Sequence, residues 1–106
     1  MRRWSLRPVQ PKQGKSKKGY WTLAQRQYVN RCIDAGCILC GQPAQWHHER
    51  ERFHGLGMRG PHEFGLPLCP RHHILVHENR PAFVLLAGET EAQLVDRVQK
   101  IFRWTP

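Results

Sequence analysis

From Thr22 to Gly36 the chain alternates apolar and polar residues at helical spacing. Thr22 can cap the N-terminus of a helix and Gly36 can stop it. Leu23, Tyr28, Val29, Cys32 and Ile33 would form its buried side. Gln45-Trp46-His47-His48 follows Pro43 and reads as a short strand that ends at the paired histidines. Side chains alternate along a strand, so His47 and His48 point apart unless the strand ends or twists there. Residues 49–65 carry four glycines and a proline, the composition of a loop, and loops this long are usually functional. Leu66-Pro67-Leu68 is the apolar run that can return as a second strand. Pro70, just after Cys69, suits the first position of a helix. Asn79-Arg80-Pro81 can start a short helix through Ala82, Phe83 and Leu86, ending at Gly88. Thr90 opens a last helix with Gln93 at the capping-box position and an apolar stripe of Leu94, Val98, Ile101 and Phe102, with Trp104 packing at its end.

The periodic part therefore begins near residue 21. Residues 1–20 show no apolar periodicity and contain Pro8, Pro11 and Gly14, which predicts a flexible or extended arm. This leaves 21–106 as a single domain with a core at about 37–78 and C-terminal helices within 79–104. Of the net charge of +9, the arm supplies seven basic residues (Arg2, Arg3, Arg7, Lys12, Lys15, Lys17, Lys18) and no acid. The other 86 residues carry ten basic against eight acidic side chains. Such an arm suits sequence-independent contact with phosphates through counterion release, although a merely solubilising end has the same composition. Trp4 can dock on the domain or stack on a base. No apolar run follows the first basic residues, so no signal peptide is expected, and none approaches the ~18 residues of a membrane span. A reducing, cytoplasmic setting follows, in which Cys-x-x-Cys beside histidines reads as metal binding rather than as disulfides.

Three of the four cysteines and all seven histidines fall between Cys37 and His77, a stretch of 41 residues. Cys37-Ile-Leu-Cys40-Gly41 has the spacing of a zinc knuckle, the glycine allowing the tight turn. The same spacing serves redox sites, but those need a thioredoxin-like βαβ context that is missing here. Cys69-Pro-Arg-His72 lies 29 residues beyond Cys40 and completes a four-ligand set for a structural Zn2+: Cys37, Cys40, Cys69 and His72. Cys32 reads as a small buried residue, and as a substitute ligand if another fails. On the helix from Pro70, His73 and His77 share one face at i, i+4 and can hold one ion. His72 is rotated by ~100° from its neighbour and can turn to the knuckle. The last two helices carry no evident chemistry.

Taken in order, a strand ending in His-His, a long loop, a short strand and a helix with His-x-x-x-His resemble the ββα-metal (His-Me finger) fold of HNH endonucleases, in its zinc-stapled form. The resemblance covers about residues 37–78. The run His47-His48, Gly55-x-Gly57-Met58, Pro61-x-Glu63, Pro67-Leu68-Cys69-x-x-His72-His73-x-x-x-His77 is similar to the phage Ref recombination-enhancement nucleases. Those cut DNA in conjunction with RecA filaments. The resemblance implies an α+β fold, a phage-encoded or bacterial setting, DNA as substrate and RecA as a partner. It makes His48 the general base and places a catalytic divalent ion (Mg2+, Mn2+ or Zn2+) on His47, His73 and His77. Many family members have Asp before the base histidine and Asn in the second strand. Here His47 takes the first place, no asparagine lies near Leu66, and Glu63 is the nearest candidate for the second role. Three imidazoles also favour Zn, Mn, Co or Ni over Mg. Arg50, Arg52 and Arg59 in the loop are candidate phosphate contacts, or solvated charges. The rival reading is a non-catalytic zinc-finger module binding nucleic acid, which uses the four-ligand set and has no need of His47, His48, His73 or His77.

Overall fold

The computed structural model describes residues 21–54 and 60–106. The arm and its seven basic residues (Arg2, Arg3, Arg7, Lys12, Lys15, Lys17, Lys18), Trp4, and the loop residues Gly55, Gly57, Met58 and Arg59 lie outside the described residues. The chain is α+β: among the described residues, four helices surround a two-stranded antiparallel sheet.

Helix α1 (Leu23–Ala35) starts as its sequence predicts. The Thr22 hydroxyl accepts from the Gln25 N–H at 3.0 Å, and the Gln25 side chain accepts from the Thr22 N–H at 2.8 Å. These two bonds satisfy donors that a helix start leaves unpaired. Gly36 ends the helix at φ +95°, and a Cβ there would also meet the Gly41 carbonyl oxygen at 2.7 Å. Tyr28, Val29 and Cys32 face the core, whereas Leu23 points outward, contrary to expectation. It occupies the first turn, ahead of the segment that packs on the sheet.

Strands β1 (Gln45–His48) and β2 (Gly65–Leu68) pair with His47 opposite Leu66 and His48 opposite Gly65. A side chain at Gly65 would collide with the His47 carbonyl and the Trp46 indole, each 2.6 Å from its Cβ. Pro67, which cannot donate to a ladder, pairs with Trp46. The Glu49 N–H to Phe64 carbonyl bond (2.9 Å) fixes the alternation, so Pro67 falls at a non-hydrogen-bonded pair and nothing is lost. Its carbonyl points the other way and accepts from Ile38 N–H at 2.9 Å. The Cys37–Gly41 turn is thereby fastened to the sheet edge.

Helix α2 (Pro70–Glu78) follows β2 directly, with Pro70 at its first turn, and α3 (Arg80–Ala87) is capped by the Asn79 side chain and ended by Gly88 at φ +80°. Helix α4 (Glu91–Ile101) has the predicted Thr90/Gln93 capping box. Its inward stripe is Glu91, Leu94, Val95 and Val98, while Ile101 is exposed. The i, i+3, i+4, i+7 rhythm explains the correction: counted from Glu91 it gives 91, 94, 95 and 98, and Ile101, in the last turn, falls at i+10, about 80° round from Glu91 and off that stripe. Leu66, Leu68, Phe83, Val76, Tyr28 and the inner face of α4 form one core, closed by Trp46, Trp104 and Phe102. No helix among the described residues is long and apolar enough to cross a membrane.

Candidate metal centres

Two clusters of metal-ligating side chains sit at the two ends of one short structural path, and α2 contributes to both.

The first is built by the Cys37–Gly41 turn and the start of α2. The turn is closed by Cys37 N–H to Gln42 carbonyl and Gly41 N–H to Cys37 carbonyl, each 2.8 Å. Cys69 is the N-cap of α2, its sulfur accepting from the His72 N–H at 3.5 Å, and the Cys37 sulfur accepts from the Leu39 N–H at 3.4 Å. The His72 N–H favours the thiolate form of Cys69. Cys69 titrates below the ordinary thiol value: burial pushes it up, but the His72 N–H and the neighbouring Cys40 and Cys37 outweigh burial. Cys40 and Cys69 sulfurs lie 3.7 Å apart, and His72 Nδ1 is 3.5 Å from Cys37 and 3.3 Å from Cys69. A tetrahedral zinc with ordinary bond lengths separates two sulfurs by about 3.8 Å and sulfur from nitrogen by about 3.6 Å. Cys37, Cys40, Cys69 and His72 therefore form a pocket that can hold one metal ion, and the spacing fits a tetrahedral one. Cys32 stands apart, fully buried beside Tyr28, with burial pushing its thiol up to about 12. It is a core residue. All four cysteines are free thiols.

The second cluster joins β1 to α2. His47 is buried on the face of β1 that α2 covers, and His73 and His77 reach it from successive turns. The three ring centres form a triangle with sides of 5.0 Å. An imidazole nitrogen about 2.0–2.1 Å from an ion puts its ring centre about 3.2 Å away, and tetrahedral angles then space ring centres by about 5.2 Å. The triangle fits that requirement. Burial, reinforced by His47 and His77, lowers the His73 pKa to about 4, and His77 is lowered chiefly by burial as well. Both imidazoles are therefore readily neutral, the form that binds metal. The His73 Nδ1–H donates to Gln45 Oε1 at 2.8 Å, which directs Nε2 away from that partner.

His47 has a partner that the sequence reading did not find. Its Nε2 lies 2.5 Å from Oε2 of Glu91, the first residue of α4. The same oxygen accepts from the Arg50 N–H at 2.9 Å, and Oε1 accepts from Arg80 at 2.6 Å. Glu91 is fully buried, yet its pKa is lowered: burial raises it, and the His47, Arg50 and Arg80 contacts prevail. The last helices, which carry no evident chemistry in the sequence, thus bring a buried carboxylate to this cluster. A signal was present, because Glu91 lies on the buried stripe with Leu94, Val95 and Val98, where a carboxylate needs partners.

β1 ends at His48, so both histidines of the pair border one cavity of about 320 Å³, with Trp46, Arg50, Phe53, His73 and His77 among its walls. His48 faces the other way from His47. Its Nε2 is 3.0 Å from Nδ1 of His62, and His62 stacks on Trp21 with ring centres 3.7 Å apart and planes within 8°. Neither His62 nor Trp21 was singled out in the sequence. A lone histidine in a loop and an aromatic ahead of a helix carry no local mark of this pairing.

Two candidates move elsewhere. Arg52 is engaged in structure: it binds Glu49 through two bonds of 2.7 and 2.9 Å, and also Asp96 at 3.0 Å and the Ala92 carbonyl at 3.3 Å. Its fork is taken up by the buried Glu49 carboxylate in a two-pronged bond. Glu63 accepts from the Gln25 side chain at 2.8 Å and lies outside both clusters. Arg50 stays at the cavity, with its backbone on Glu91.

Neither family models, nor curated proteins, nor solved structures match this chain.

Proposed function

We propose that the chain is a metal-dependent endonuclease of the HNH (ββα-metal) type that hydrolyses DNA phosphodiester bonds. The observation that carries this reading is the triangle of His47, His73 and His77 opening on a cavity that His48 also lines. A zinc-binding module has no need of that second set. The order of strand, loop, strand and helix, and the motif shared with Ref nucleases, support the same reading. The four-donor set Cys37, Cys40, Cys69 and His72 is assigned to a structural Zn2+, since three thiolates and one imidazole leave no position open for substrate.

Phosphodiester hydrolysis needs an activated water, charge stabilisation on the phosphoryl oxygens and help for the leaving alkoxide. A divalent ion (Mg2+, Mn2+ or Zn2+) on His47, His73 and His77 supplies the last two when bound. His48 is the base, because histidine titrates near neutrality and this one stands at the cavity wall. Once protonated, its Nε2–H can donate to His62 Nδ1, which steadies the ring as charge develops. Arg50 is placed to meet a phosphate at the same wall. The substrate form that the Ref-like motif points to is RecA-coated DNA.

The test is cleavage of single-stranded and supercoiled DNA with Mg2+ or Mn2+, with and without a RecA filament, by wild type and His48→Ala. Cutting that is lost in the variant at unchanged zinc content establishes nuclease and base together. Cutting confined to RecA-coated DNA extends the assignment to the partner. Binding without cutting under every condition overturns the enzyme and leaves the zinc module.

A further inference from the structure

A carboxylate can only accept a hydrogen bond, so the contact between Glu91 Oε2 and His47 Nε2 requires the proton to sit on Nε2. The lone pair of a neutral ring is then on Nδ1. Gln45 does the corresponding thing to His73: its Oε1 takes the Nδ1–H and leaves Nε2 for an ion. Two of the three imidazoles are thus held in complementary tautomers by partners outside the triangle. Glu91 has little freedom of its own. Arg50 N–H and His47 fix one oxygen, Arg80 fixes the other, and the residue begins α4 directly after its N-cap, Thr90. It is fully buried.

We infer that Glu91 is the positioning residue that holds His47 in the tautomer and orientation by which it binds a divalent ion together with His73 and His77. The inference rests on the metal site proposed above and adds its support from a different part of the chain. A carboxylate behind a ligating imidazole fixes the ring and makes it a more basic donor. The arrangement also ties the ion site to α4: the helix that closes the core presents its first side chain to the ligand.

The test uses the full chain carrying one equivalent of zinc and titrates Co2+ by calorimetry and by its visible absorption. Wild type, Glu91→Gln, Glu91→Leu and Glu51→Ala are compared. Glu51 accepts from the Ala92 N–H, at the same end of α4, at 2.7 Å. Its loss loosens that end without touching His47. The expected result is Co2+ affinity lowered on the order of tenfold in Glu91→Gln, which keeps an acceptor, and on the order of a hundredfold in Glu91→Leu. Glu51→Ala binds as wild type, and zinc stays at one equivalent throughout. Nitrogen chemical shifts of His47 should report the Nε2–H tautomer in wild type and a mixture in Glu91→Leu. Wild-type Co2+ affinity in both Glu91 variants, or an equal loss in Glu51→Ala, overturns the assignment while leaving the metal site standing. A wild type that takes up no second ion overturns both. Should Glu91→Leu fail to retain zinc, the Gln variant decides.

Discussion

Replacing Arg52 by alanine separates two roles for one side chain. Its guanidinium makes a two-pronged bond to Glu49, whose side chain is completely buried, and further bonds to Asp96 and the Ala92 carbonyl. In Arg52→Ala, the Glu49 carboxylate keeps, among the described residues, only the backbone N–H of residue 52, at 3.0 Å. Breaking a buried ion pair from one side costs about 3–5 kcal/mol. The Arg52 side chain is 38 % exposed, so water can reach the space it leaves, and we halve that cost to about 2 kcal/mol. The Asp96 contact is exposed and adds little. For a domain of this size, about 2 kcal/mol lowers Tm by roughly 8–16 °C. Thermal and urea melts at fixed zinc measure the loss, and the DNA affinity that the proposed function implies is read well below Tm, where it should equal wild type. Adding Glu49→Gln should recover about half of the stability, since the stranded group is then neutral. A variant that melts like wild type but binds DNA less tightly would refute the structural role and return Arg52 to the phosphate contacts.

Three further outcomes follow from the geometry. Gly65→Ala places a Cβ 2.6 Å from the His47 carbonyl and the Trp46 ring, so the strands must part; we expect a loss of more than ~1 kcal/mol and weaker Co2+ uptake, read by urea melts and titration. Cys40→Ser removes one donor of the four-donor set, and circular dichroism should show cooperative unfolding at lower temperature together with loss of the zinc proposed for that set. For His73 the folded pKa of about 4 lies below its ordinary 6.5, so the unfolded chain binds more protons between these values. Its contribution to the stability of protein without a second ion is complete above pH 6.5 and disappears as pH falls towards 4; urea midpoints across that window check the sign, and His73→Gln should flatten the slope.

What the sequence disclosed was local, and what it concealed was not. Thr22, Gln25, Thr90 and Gln93 mark helix starts because a capping box is completed within four residues. The four-donor set could be read from Cys37, Cys40, Cys69 and His72 because two short spacings each impose their own geometry. His73 and His77 share a face by helix arithmetic alone. His47 could be assigned to the same cluster only by resemblance, since the strand period shows that it opposes His48 without saying which of them turns to α2. Glu91 lies 44 residues from His47, and its role depends on how α4 packs. At the start of a helix an acid ordinarily answers the helix dipole from the surface, which is why its burial went unread. The partners of Arg52 are hidden for a related reason: a loop arginine looks available until Glu49 is seen to be buried beneath it.

The placement of Pro67 bears on how the molecule behaves in a crowded solution. A two-stranded sheet leaves ladder positions unpaired on each outer side, and edges that open to solvent invite pairing with other chains; β2 is buried along its whole length. On the outer side of β2, Pro67 has no hydrogen to offer and its oxygen is already taken by Ile38. The same proline that costs the inner ladder nothing makes this edge a poor template for an incoming strand. The cysteine turn that builds a metal pocket thus also occupies the outer side of β2, and loosening that turn would be expected to favour aggregation.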